Sequence, residues 1–413
     1  MSPSIRIRPR PLRQPLIVAA SLGVLALGAP VSSALVTATW TGPAIGTWET
    51  AANWSSLTVP NNGGGTTYSV VVDAFAGQAS LVLLTSAVQV QTVQVNAGDT
   101  VRIVSNGQLG VVGGGITNSG TIQLVGAEAL SSLRCDADVS LTGLGVLEGG
   151  VEGSNRIIGA HAGVRLTQAA GHTIRGSMLL GSNVLRLTNA GLVDANTGFG
   201  IQMDLSDTGT NFNSGTMRAS NAALLRVLNT TIDNTGGVIE ATTGGLVAMS
   251  TTTVQGGTLR DADGDGPASL QNWGISTLQD VTVEGTFQAL DSTTTKLRGF
   301  NTINGVLSVQ ASTAQTDVVI DSAVCTLSGA GTLLLSDSLI NRVYGAAGGN
   351  RLVIGPDFTV RGAGQFGLDS MLLTNHGLLQ SDFFHDLIVV LSDDELNVNT
   401  GTIRCSEGQT LSL

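Results

Sequence analysis

Asn213-Ser-Gly-Thr-Met-Arg-Ala219, Asn234-Thr-Gly-Gly-Val-Ile-Glu-Ala241 and Gln255-Gly-Gly-Thr-Leu-Arg-Asp261 begin at equal steps along the chain. Each is a glycine turn followed by a short alternating apolar and polar run. One brief strand after each turn, at a fixed period of roughly 20 residues, is the pattern of a solenoid. The residue after each turn's Thr or Val is apolar (Met217, Ile239, Leu259), and the next is charged (Arg218, Glu240, Arg260). Alternation places the first kind inside and the second outside. With Asp194 one repeat earlier, the outer column reads Asp194, Arg218, Glu240, Arg260, which predicts a ladder of alternating charge. The Asn that opens the turns tolerates left-handed backbone and can bond its counterpart one coil away.

The remainder of the chain fits this frame. It has 413 residues, 55 Gly, 4% aromatic and 12% charged side chains, and a net charge of −11. Gly without a three-residue period excludes collagen, and 42% hydrophobic content argues against disorder. Residues 1–34 read as a secretory signal: Arg6, Arg8, Arg10 and Arg13 precede an apolar run from Leu16 to Ala29. With the signal removed, no transmembrane segment is expected. The acidic balance then deepens, which disfavours nucleic acid and anionic membranes as partners. Three cysteines cannot all pair within the chain, and Cys405, aligned with Ala219 and Ala241, is expected as a buried thiol.

Trp40, Trp48 and Trp54 crowd the start of the mature chain. They are expected to cap the open apolar end of the first coil, the rival role being a platform for sugars. The run Trp40-Thr-Gly, Gly46-Thr-Trp48, Ala52-Asn53-Trp54 and Pro60 resembles the start of secreted bacterial parallel β-helix proteins, of the autotransporter-adhesin type and the type exported with PEP-CTERM sorting tails. The resemblance implies a coil and not an activity. A C-terminal membrane barrel and an apolar sorting tail are not found in this sequence.

A second, longer period is present. Leu141–Ser220 matches Leu327–Ser406 without a gap at 29 of 80 positions, under one constant offset. The organisation is therefore read as a signal peptide (1–34), a cap with the first coils (35–115), a first β-helix block (116–301) and a partial second copy (302–413). Leu413 falls opposite Val227, in mid-coil, which predicts that the chain is part of a longer protein. The expected fold is all-β: a single-stranded, right-handed parallel β-helix of ~18 coils, ~85 Å long at the ~4.8 Å strand spacing, with an N-terminal Trp-rich cap.

Two clusters carry possible chemistry. Asp261-Ala-Asp263-Gly-Asp265-Gly266 matches the first half of a calcium loop, with oxygen ligands at positions 1, 3 and 5 and Gly at 6. Position 12 is Asn272 where the full motif has Glu, so calcium is the one cofactor to weigh against none. Asp382, His385, Asp386, Asp393, Asp394 and Glu395 form the second cluster, the carboxylate kind that polysaccharide lyases and hydrolases use. His385 and Asp386 correspond to Phe199 and Gly200 in the first copy, and Lys296 is the single Lys, which argues against a lyase. The four His and three Cys lack metal-site spacing. These features predict a non-enzymatic, secreted or surface-exposed adhesin-like rod that makes repeated weak contacts with extracellular polysaccharide or a cell surface. The alternatives are a polysaccharide-active enzyme and a calcium-stiffened passive spacer.

Overall fold

The computed structural model describes residues 33–73, 78–263, 269–406 and 408–412. The proposed signal therefore lies almost wholly outside the described residues, as does Asp265. The protein is a parallel β-solenoid of about 15 turns with essentially no helix. Among the described residues no helix is long and apolar enough to cross a membrane. Each turn contributes three short strands to three faces. In the first copy, Val164–Gln168, Leu185–Asn189 and Asn211–Asn213 stack on the first face. Val146–Gly149, Thr173–Gly176 and Leu192–Ala195 stack on the second; Asn155–Gly159, Met178–Gly181 and Ile201–Asp204 stack on the third.

The step announced by the sequence holds where Asn211 pairs with Ile232. Elsewhere it is shorter, as from Ile275 to Thr294, or much longer, as from Ala34 to Thr66. Longer corner loops account for most of the difference, so the coils number about 15 and not 18, and the rod spans roughly 70 Å. Alternation works as the sequence implies. Met217, Ala219, Ile239, Ala241 and Leu259 are buried, and one apolar core runs from Ala38 to Val389.

At the N-terminal end Trp40, Trp48 and Trp54 are buried edge to face, with ring centroids 5.1 and 4.8 Å apart. Their indole N–H groups donate to the carbonyls of Pro43, Pro60 and Trp48. Rings so enclosed form the cap and offer no face to a sugar.

The asparagines stack as expected. Asn189 Nδ2 donates to Asn213 Oδ1 at 2.7 Å, Asn213 to Asn234 at 2.6 Å, and Asn375 to Asn399 at 2.7 Å. The charge ladder exists and is longer than the four residues that announced it. Strand register aligns Glu148, Arg175, Asp194, Arg218, Glu240, Arg260 and Glu284 on consecutive turns, with signs alternating throughout. One detail differs: Asp194 is buried, because Arg218 and Ser220 close over its carboxylate. Cys405 also departs from expectation. Cys135 and Cys325 are buried, and burial pushes both thiols up to about 12. Cys405 is exposed, since among the described residues its strand, Thr402–Cys405, pairs with Leu378–Ser381 on one side only.

The two copies do not line up along the rod. The strand Val146–Gly149 belongs to the second face, and its stack continues through Thr282–Glu284 to Thr302 and Ser328. Its counterpart in the second copy, Thr332–Leu335, stacks instead on Val306–Val309, Thr286–Ala289 and Leu270–Asn272, which is the third face. The offset between the copies therefore spans eight turns and one face more, and every equivalent residue is displaced by a third of a turn.

Candidate functional site

The most distinctive corner of the solenoid lies where the second face meets the third. Strands Thr173–Gly176 and Met178–Gly181 are joined there by the single residue Ser177. So tight a corner requires Gly176, whose φ is +102° and whose Cβ, if present, would lie 2.0 Å from the carbonyl oxygen of Gly149. The turns on either side make the same corner with longer loops, 150–154 and 196–200. These loops meet across the short corner: a Cβ on Gly198 would lie 2.4 Å from the Val151 carbonyl oxygen. A depression opens on each side of this bridge.

On the second-face side, Glu148, Arg175, Asn196 and Thr197 border a space of about 310 Å³. Arg175 donates from Nε and Nη2 to Glu148 Oε2 at 2.9 and 2.5 Å, so the two charges offset each other. On the third-face side, Ser177, Gln202 and Phe199 border a space of about 320 Å³. Phe199 is 75% exposed, whereas Ser177 is fully buried. Ser177 Oγ, Asn196 Oδ1 and Thr197 Oγ1 are buried with no hydrogen-bond partner among the described residues. Three such atoms at one corner stand out, because buried polar groups in folded chains are nearly always paired.

The second copy carries different residues at the same corner, where Arg361 Nε and Asp382 Oδ1 are likewise buried with no hydrogen-bond partner among the described residues. Asn196 and Thr197 are replaced by Asp382 and Phe383; Arg361 pairs with Asp382 at 2.7 Å and lies 5.6 Å over the Phe383 ring. Val151 is replaced by Asp337, which accepts from the His385 backbone N–H at 2.8 Å and from its ring Nδ1 at 3.1 Å. The bond from the His385 backbone holds the Asp337 carboxyl below the usual carboxylate range, despite its exposure.

The residues singled out by sequence take other places. Asp261 ends the strand Thr258–Asp261 and accepts from Ser269 Oγ at 2.5 Å. Asp263 accepts from the backbone N–H groups of Thr243 and Gly244 at 2.7 and 2.6 Å. Each thus already serves a protein donor. Asp263 belongs to a recurring device in which a loop carboxylate clasps backbone N–H groups of a neighbouring turn. Glu49 does so with Thr85 and Ser86, and Asp291 with Ser312, Thr313 and Ala314. Among the described residues no group of three or more His, Cys, Asp or Glu is arranged to hold a metal ion. The C-terminal acidic cluster is likewise divided: Asp382 pairs with Arg361, His385 with Asp337 and Glu395 with Arg351. Sequence reasoning used Phe199 only as the counterpart of His385. A stronger signal was available, since 196–200 and 382–386 share no residue within the gapless alignment of the two copies.

Searches of protein-family models, curated proteins and solved structures return no match.

Proposed function

We propose that this chain is a structural, adhesin-like rod, secreted or surface-exposed, that makes repeated weak contacts with extracellular polymers or cell surfaces. The observation that supports this reading is how the surface chemistry is distributed. Exposed rings at Phe199, Phe212, Trp273, Phe300 and Phe384 are spread along the solenoid and do not converge on one cleft. The cations between them are largely paired sideways with acids of neighbouring turns, as at Arg175, Arg218, Arg260 and Arg342. Contacts of this kind are individually weak and gain strength by number.

The experiment is retention of the full chain on a panel of insoluble neutral and acidic polysaccharides at graded ligand density. Retention that falls more steeply than density, without release of soluble sugar, is the expected result. Multiple-turnover release of oligosaccharides would replace this reading with the enzymatic one, and failure to be retained on every polymer would remove it.

A further inference from the structure

We propose that Arg165 and Arg186, side by side on the first face, bind the carboxylate of a uronate unit in an acidic polysaccharide. This deepens the adhesin-like reading and rests on it.

The first observation is register. Arg165 lies directly beside Arg186 of the next turn, on strands ~4.8 Å apart. Among the described strand pairings it is the single one that sets like charges side by side. On the second face each charged residue of the ladder meets its opposite instead. Like charges directly opposite each other repel. Burial first, and the Arg186 charge second, lower the pKa of Arg165. Asp138 offsets part of this, but its Oδ1 accepts from the Arg165 backbone N–H at 2.8 Å, and neither arginine forms an ion pair among the described residues.

The second observation is that the other copy holds a carboxylate at this place. Arg351 corresponds to Arg165, and the two are fixed alike. Arg165 donates to the Leu187 carbonyl, the Thr188 hydroxyl and the Thr210 carbonyl. Arg351 donates to the same three groups, on Leu373, Thr374 and Leu396. Arg351 Nη2 then meets Glu395 Oε2 at 3.2 Å. Glu395 corresponds to Gly209, and Leu372 corresponds to Arg186. The first copy thus keeps the arginine that receives a carboxylate, adds a second cation beside it and has no side chain where the acid would start.

The third observation is access. The Glu395 side chain is 69% exposed, so the carboxylate position of the second copy is open to the surface. In the first copy Arg186 Nε donates to the Gly163 carbonyl at 2.6 Å. Its Nη1 and Nη2 have no hydrogen-bond partner and are not enclosed. Gly209 lies against that end, since a Cβ there would be 2.9 Å from Nη1. The planar fork of a guanidinium suits the two oxygens of a carboxylate. Phe212, exposed and 5.5 Å from Arg165 Cζ, offers an apolar face to the sugar ring that carries the acid.

Other arginines without an acid do not reproduce this arrangement. On the third face Arg156 stands between Ser132 and Leu179, and Arg226 between Gln202 and Ala248, so each is a single cation on its column. The acidic balance of the whole chain opposes any polyanion at long range. Binding must therefore come from the local pair, and a short oligomer is the suitable probe.

The test is titration calorimetry of the full chain at physiological ionic strength. The ligands are hexauronates (of galacturonate, mannuronate and guluronate), cellohexaose, a κ-carrageenan hexasaccharide with sulfate but no carboxylate, and a single-stranded DNA hexamer. At least one hexauronate should bind at one site per chain, and at least tenfold tighter than each of the other three. Arg186→Leu and Gly209→Glu each adopt the residue of the second copy, and each should weaken that ligand at least tenfold with circular dichroism unchanged. Arg226→Gln changes the net charge by the same amount and should leave binding as it is. Equal weakening by all three variants would assign the effect to overall charge and overturn the site. Absence of hexauronate binding, or equal or tighter binding of carrageenan, DNA or cellohexaose, also overturns it. Retention on insoluble polymers that is insensitive to Arg186→Leu and Gly209→Glu overturns the site and leaves the rod reading intact. Absence of both soluble binding and retention overturns the two together.

Discussion

At the turn that follows Gln168, the two copies bury different chemistry on one backbone. The first encloses Asn118, Gln168 and His172; the second encloses Ile354 and Phe358 at the positions of Gln168 and His172. In the first, Asn118 Nδ2 lies 3.1 Å from His172 Nε2, and Gln168 Nε2 donates to the His172 carbonyl at 2.7 Å. Asn118 Oδ1, Gln168 Oε1 and His172 Nδ1 remain without partners among the described residues. The outer surface differs in the same sense. Glu148 and Asp194 of the ladder become Leu334 and Gln380, while Arg175 and Arg218 persist as Arg361 and Arg404. Arg404 now donates to Gln380 Oε1 at 3.1 and 2.9 Å. Register is preserved through these exchanges, so backbone pairing and the glycine corners, not a particular set of side chains, specify the coil.

The severest way to break that equivalence is at the shared corner. Gly176→Ala and Gly362→Ala each place a Cβ 2.0 Å from a carbonyl oxygen at positive φ. Each should cost about 3 kcal/mol or more in denaturant unfolding, and by similar amounts. A large difference between them would show that the two corners are not the same structure.

His172 gives the next effect. Burial lowers its pKa from 6.5 to about 4. The unfolded chain therefore binds a proton that the fold rejects. Stability is complete above about pH 6.5 and declines as pH falls, by on the order of 3 kcal/mol at pH 4. His172→Phe, which adopts the second copy's residue, should remove this slope between pH 6.5 and 4. Below pH 4 a different loss should persist in both proteins. Asp291, lowered mainly by the Thr313 hydroxyl, and Asp337 must then protonate and release the loops they clasp.

Asp194→Gln copies the second block's ladder into the first. Because Arg218 keeps an acceptor, stability should change by only about 1 kcal/mol at low salt, and the dependence on salt should weaken. A loss above about 3 kcal/mol would mean that the buried carboxylate holds the ladder together in a way the second copy does not need. The mildest test compares cysteines. Cys405 should react with a thiol reagent in the native protein and Cys325 only on unfolding, while Cys405→Ser leaves the unfolding midpoint in place.

The repeated elements were legible because they obey a period. The Asn column, the inward Met217, Ile239 and Leu259, and the alternating charges all follow from strand alternation plus a constant offset. Coil number was misjudged because corner loops such as 150–154 and 196–200 add residues without adding turns. The candidate site was missed for a related reason. It forms where two loops from turns that are not adjacent meet over Ser177, a contact that no local pattern encodes. Cys405 shows the remaining limit: alternation indicates which way a side chain points, but burial also requires a turn stacked above it.

The displacement of the second copy by one face has a mechanical consequence. Eight and a third turns advance roughly 40 Å along the axis, so equivalent corners are related by a screw operation and point in directions a third of a revolution apart. A flat surface lying against one side of the rod can reach one of them and not the other. The two copies thus present their different corner chemistry to different sides of the rod.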